Sequence, residues 1–131
     1  MADIIKTWPA TVGARKVAQI FSQNGCFAKY YFSLGPGQPH LSIERIWFTW
    51  HGRILGYFEV EKIVCNDGSL PSLRSISNEE SAWQIRKDAW VAVCKTGCHR
   101  LRERVFMDSF RGWHYFDLAS YCEKPESKHR I

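Results

Sequence analysis

The chain has 131 residues, 45% of them apolar and 15% aromatic, and carries eighteen Lys and Arg against thirteen Asp and Glu for a formal charge of +5. That length suits one domain, and six Trp, eight Phe and five Tyr supply enough apolar area to exclude disorder and to let the chain fold without metal or disulfide. No segment approaches the ~20 apolar residues of a membrane span, and Met1 to Lys6 holds no apolar run of signal length. The expectation is therefore a soluble cytoplasmic protein with no membrane partner, as a single domain over 1–122 with a polar tail over 123–131.

In chain order, residues 11–24 read as a helix. Thr11 can cap its start, Val12, Val17, Ile20 and Phe21 fall roughly on one stripe, and Asn24-Gly25 supplies a stop. Cys26 to Ser33 is rich in aromatics and predicts a strand. Gly35-Pro36-Gly37-Gln38-Pro39 predicts a loop. Ile43 to Trp50 and Ile54 to Val64 then form two β-rich runs around His51-Gly52-Arg53, the pattern of a tight hairpin. A two-residue loop would set Trp47 opposite Gly56 and a three-residue loop would set Phe48 there. In either register, Gly56 leaves a space that a ring can cover.

Asn66 to Pro71 is rich in turn formers, and Ser77 with Glu80 has the spacing of a capping box for a short helix over 77–84. Ala89 to Cys94 is apolar on both faces, as in a buried central strand, so Trp90 is expected to be structural. Leu101 to Met107 predicts another strand, and Phe110 to Leu118 a last strand or a short turn-plus-strand.

Cysteine and histidine are the first chemical candidates. Five cysteines (Cys26, Cys65, Cys94, Cys98 and Cys122) make an odd, widely spaced set, expected to be reduced thiols. Cys94, Cys98 and His99 lie close in sequence, but structural zinc sites pair two such clusters, so no metal and no cofactor are expected. Glu59 and Glu61 share a strand face and have the residue type for general acid–base work, although surface carboxylates on a half-exposed strand are far commoner. The chain has no G-x-S-x-G elbow, P-loop, G-x-G-x-x-G turn or H-E-x-x-H helix.

The positive charge is uneven. Arg86 to Arg104 holds Arg86, Lys87, Lys95, Arg100, Arg102 and Arg104 against Asp88 and Glu103. Arg100, Arg102 and Arg104 recur with period two, which a strand converts into one charged face with Leu101 and Val105 on the other. Arginine binds phosphate bidentately. The same pattern also protects an exposed sheet edge. Rings sit beside cations at Lys29-Tyr30-Tyr31, at Arg45 with Trp47, and at Arg111-Gly112-Trp113. Single-stranded or flipped bases are gripped by such rings while cations hold the backbone. The candidate nucleic-acid-binding residues are therefore Arg45, Trp47, Tyr57, Arg100, Arg102, Arg104, Arg111 and Trp113, with Trp47 and Trp113 the candidate stacking rings.

The run Ile46-Trp47-Phe48-Thr49-Trp50-His51-Gly52-Arg53-Ile54-Leu55-Gly56-Tyr57-Phe58-Glu59-Val60, with Ile63, resembles the central strand–turn–strand element of the PUA-like superfamily, and within it the ASCH-type domains. The preceding helix and the later Trp-bearing strand follow the same order. The resemblance implies an α+β, mainly β fold, a small barrel with helices packed at its openings. It also implies binding of RNA or of single-stranded or modified DNA bases in a cleft beside the barrel. Some members hydrolyse acylated nucleosides and carry a Gly-x-Lys-x-x-Thr-x-Arg type motif, which Gly13-Ala14-Arg15-Lys16-Val17-Ala18-Gln19 does not reproduce. A nucleoside hydrolase using Lys16 or Lys29 with Glu59 is the second reading. A protein-interaction domain of the kind found in phage or host-defence factors is the third.

Overall fold

The computed structural model describes residues 1–8, 12–22, 30–67 and 87–123. Its described elements are strands β1 (Ala2–Thr7), β2 (Tyr31–Gly35), β3 (Ile43–Trp50), β4 (Arg53–Cys65), β5 (Trp90–Arg100) and β6 (Trp113–Phe116), with helices α1 (Ala14–Ile20) and α2 (Leu118–Glu123). The strands form one sheet in the order β2-β5-β4-β3-β1-β6. Among the described strands only β1 and β3 pair in parallel. The fold is thus mainly β.

β3 and β4 form the expected hairpin, and the loop that joins them is two residues long. Trp50 pairs with Arg53, and His51 and Gly52 take φ of 50° and 77°. Two successive positive φ values make a turn whose twist matches that of the strands. Yet Thr49 pairs with Ile54 while Phe48 pairs with Gly56, so one extra residue is inserted in β4 at Leu55. This bulge produces the Phe48–Gly56 pairing that a three-residue loop would otherwise have required. The space beside Gly56 is taken by backbone. A Cβ there would stand 2.1 Å from the His99 carbonyl oxygen, because the β5 backbone already fills that space.

The sheet is apolar on both faces. Alternation sends Ile4, Ile46, Phe48, Phe58, Phe32, Ala92 and Cys94 to the inner face, where Val17 and Ile20 of α1 and the buried Trp8 and Val12 complete the main core. Phe48 is 4.5 Å from Phe32 and 5.0 Å from Trp8, ring to ring. Burying each such side chain contributes ~1.5–3 kcal/mol. Ile5, Trp47 and Ile54 face the other way and form a second cluster with Leu101, Val105, Met107, Phe110, Phe116, Leu118 and Tyr121. The segment after β5 and helix α2 therefore cover part of the outer face.

The two edges of the sheet are tied by side chains, so it curls into a half-barrel. Trp113 Nε1 of β6 donates to the Leu34 carbonyl of β2 at 3.0 Å, and Lys6 Nζ of β1 donates to the Ser33 carbonyl at 2.6 Å. The Tyr115 hydroxyl accepts the amides of His40 and Leu41, in the loop that leaves β2.

Several expectations need correction. β1 lies inside the sheet, although no strand was expected at the N-terminus. α1 begins at Ala14, with Gly13 as its N-cap and no side-chain cap. The expected strand over Leu101–Met107 is absent, reduced to one bridge between Arg53 and Phe106. Over Phe110–Leu118 the structure has the turn-plus-strand form, a bend at Arg111-Gly112 and the short strand Trp113–Phe116, and the unexpected α2 follows it. Trp90 is half-buried at the margin of the main core rather than inside it. Cys98 is disulfide-bonded, whereas Cys65, Cys94 and Cys122 are free thiols. That bond removes the cysteine argument for a reducing compartment. No helix among the described residues is long and apolar enough to cross a membrane. Thr11, Asn24-Gly25, Cys26 to Lys29, the turn residues 68–71, the helix expected over 77–84, Arg86 and the tail beyond Glu123 lie outside the described residues.

Candidate functional site

Of the expected binding residues, the sheet register brings Arg45, Trp47 and Tyr57 together. Trp47 of β3 pairs with Tyr57 of β4, which in turn pairs with His99 of β5. Partners in register on adjacent strands point to the same face, so the three rings form a row across the outer surface. Trp47 and Tyr57 lie 4.7 Å apart, and His99 stacks on Tyr57 at 4.6 Å with ring planes 13° apart. The Arg45 guanidinium stands over the Tyr57 ring, 4.9 Å from its centroid.

Exposure grades along this row. Trp47 is only 4% exposed, and its Nε1 donates to Asp3 Oδ2 at 2.9 Å. It cannot stack a base as expected; it forms the buried base of the row. Tyr57 is half-buried and His99 exposed. One face of the exposed imidazole lies on Tyr57. Sequence reasoning treated His99 only as a possible metal ligand. Its stacking role depends on the cross-strand register, which local pattern does not reveal.

Arg45 carries an unmatched charge. Its Nε is buried without an acceptor among the described residues, and none of their carboxylates lies within ion-pair distance, even though Glu59 is its partner across the ladder. Tyr57 holds the guanidinium by its ring face, an attraction of ~0.5–1 kcal/mol at an exposed site.

The other arginines stand apart. Arg100 pairs with Gly56 and alternates away from His99. The Leu101 amide donates to the Leu55 carbonyl, and the Ile54 amide to the Val105 carbonyl. The chain thus keeps hold of β4 on both sides of a three-residue excursion, Arg102-Glu103-Arg104. Leu101 and Val105 pack into the second cluster while Arg102 and Arg104 are exposed. The inward apolar residues match the period-two expectation, but an excursion and not a strand separates the guanidiniums. Arg111 is exposed just before β6, and Trp113 lies on the inner face with its Nε1 spent on Leu34. Trp47 and Trp113 therefore share no cleft.

The remaining chemical candidates are dispersed. Glu59 and Glu61 are separated by irregular pairing on either side of Val60, and Glu61 lines a separate polar cleft with Lys62 and Lys95. Lys16 rides on α1, which packs on the inner face, whereas Glu59 alternates with the inward Phe58 and Val60. Cys94 is fully buried and desolvation pushes its thiol pKa strongly upward, the behaviour of a core residue and not of a thiolate ligand. Among the described residues no group of three His, Cys, Asp or Glu is placed to hold a metal ion.

No family model, curated protein or solved structure matches this chain.

Proposed function

We propose that the protein is a small nucleic-acid-binding module for RNA or for single-stranded or modified DNA. The reading includes a PUA-like, ASCH-type relationship and a cytoplasmic setting. It is carried by one observation: an unpaired arginine, Arg45, and an exposed imidazole, His99, are both held against Tyr57 on an open sheet face. A base stacks on the other face of His99, and Arg45 meets the backbone nearby. Arg102 and Arg104, with Arg100 and Arg111, add the wider positive field of a chain of charge +5. The run from Ile46 to Val60 supports the PUA-like relationship.

Two variants give different signatures. His99→Ala should weaken binding of single-stranded RNA or DNA by ~1–3 kcal/mol, the worth of one stacked base, with the salt slope unchanged at pH 8. The triple variant Arg100→Gln, Arg102→Gln, Arg104→Gln should reduce the slope by about 2, from roughly 0.7 per phosphate contact on single strands. Binding of single- and double-stranded RNA and DNA, measured by fluorescence anisotropy from low to physiological salt, checks both. If no form binds tighter than about 100 μM at low salt, where surface electrostatics are strongest, the nucleic-acid reading fails and a protein-interaction role replaces it.

A further inference from the structure

A second site of opposite character lies between β6, the segment 107–110 and α2. There a cleft of about 470 Å³ opens on the outer face, floored by Ile5. Its walls carry five rings: Tyr115, the pair Phe110 and His114, 4.6 Å apart, and the pair Phe116 and Tyr121, 5.8 Å apart. Two carboxylates, Asp108 and Asp117, complete the lining, and no Lys or Arg takes part. On a chain of charge +5 this local reversal of sign selects its occupant.

The carboxylate of Asp117 is already fixed in place. Oδ1 accepts the Ala119 amide and Oδ2 accepts the Ser120 hydroxyl, both at 3.1 Å. These neutral donors orient the group without cancelling its charge, and no cation pairs with it among the described residues. The Tyr121 hydroxyl donates to the Phe106 carbonyl, so α2 is pinned over the cleft through one of its own rings. A neighbouring depression shares Tyr115, Phe116 and Asp117 and adds Asp3, Glu44 and Arg45.

We infer that this cleft binds an organic cation, a guanidinium or alkylammonium group. Ring faces attract such a cation through their negative quadrupole, and a fixed carboxylate at the rim supplies the ionic half. A phosphate would meet the Asp117 carboxylate with no Lys or Arg beside it in the lining, so the cleft is not an extension of the nucleic-acid surface. A neutral apolar ligand would shield the Asp117 charge from water without supplying a counter-charge, which is costly. The cation is either that of a small free molecule or the tip of a basic side chain on another protein.

The test uses the full chain, with backbone amide NMR shifts as readout. N-acetyl-arginine amide should give saturable shifts confined to residues 107–121. Its neutral isostere, N-acetyl-citrulline amide, should bind at least about tenfold more weakly. Asp117→Asn keeps an amide oxygen able to cap α2 and Phe110→Leu keeps apolar volume; each should lower affinity about threefold or more with an unchanged melting temperature. A Gly-Gly-Arg-Gly-Gly peptide binding tighter than the free amide assigns the cation to a protein partner, and equal binding assigns it to a small molecule. Equal binding of citrulline and arginine amides, preferential shifts with inorganic phosphate, or no saturable shift by about 10 mM would overturn the inference. Nucleic-acid affinity should be unaffected by Asp117→Asn, so the two sites fail or stand separately.

Discussion

At Gly56 an added Cβ would stand 2.1 Å from the His99 carbonyl oxygen and 2.9 Å from Arg100 Cα. Both neighbours are backbone, so they yield only if β5 separates from β4. Gly56→Ala should therefore cost about 1–3 kcal/mol or more. It should also separate His99 from Tyr57, seen as a lower melting temperature together with loss of the ring-current shift at His99. The cysteines make a second prediction at this scale. Thiolate is the reactive form, and burial pushes Cys94 strongly up whereas Cys65 is exposed. A maleimide added to the native protein should label Cys65 promptly and Cys94 only after denaturation. Labelling of both at one rate would mean that β5 is not buried.

Among the elements, the seam between β2 and the β1–β6 edge has the least usual chemistry. Lys6 reaches across it to Ser33, and burial lowers its pKa from the ordinary value of 10.5. The sign follows from proton counting. Between the lowered folded value and 10.5, the unfolded chain holds the Lys6 proton more tightly, so folding releases a proton and stability rises with pH across that window. Below the window the charged, desolvated ammonium lowers stability. Denaturant midpoints of the wild type should therefore show an alkaline gain that Lys6→Met lacks. A wild-type curve parallel to that of the variant would mean that the amine is fully solvated. Trp113→Phe tests the same seam by removing one buried donor and stranding the Leu34 carbonyl, a loss of ~0.5–1.5 kcal/mol. The hairpin of β3 and β4 was legible in the sequence because its signals are local: β-rich runs flanking a Gly-containing turn. The bulge at Leu55 was not, because it answers to β5 lying against Gly56 and to nothing within the hairpin.

For the molecule as a whole, the sheet order joins segments far apart in the chain. β2 pairs with β5, and β1 with both β3 and β6. Loop closure must come before such contacts form, which places folding in the slow, millisecond-to-second range for a domain of this size. Stopped-flow refolding monitored by Trp fluorescence checks this; a microsecond phase carrying the full amplitude would contradict the topology. Charge is also partitioned at this scale. Among the described residues, the row at Tyr57 presents Arg45 with no carboxylate partner, while the cleft beside α2 presents carboxylates with no Lys or Arg in its lining. One face thus offers two surfaces of opposite preference, which the net charge alone does not reveal.

By itself, the sequence determined the features that rest on near neighbours. These are a mainly β chain, the β3–β4 hairpin, the fully apolar run through Val91 to Cys94, and the inward turn of Leu101 and Val105 between exposed arginines. Each follows from alternation or turn chemistry over a few residues. Only the tertiary structure decided what those residues do. Trp47 reads locally like a free ring beside Arg45, but Asp3, Ile5 and Phe116 come from distant segments to cover it. His99 reads as a possible metal ligand beside a cysteine, and becomes an exposed ring against Tyr57 because β5 pairs with β4 in the register that places it there. β1 escaped notice because six residues with Asp3 and Lys6 among them look unremarkable alone. Their role appears only when β3 and β6 lie on either side. Burial, pairing and unpaired charge are properties of the neighbours a fold supplies, and those neighbours are set by contacts that no short window of sequence contains.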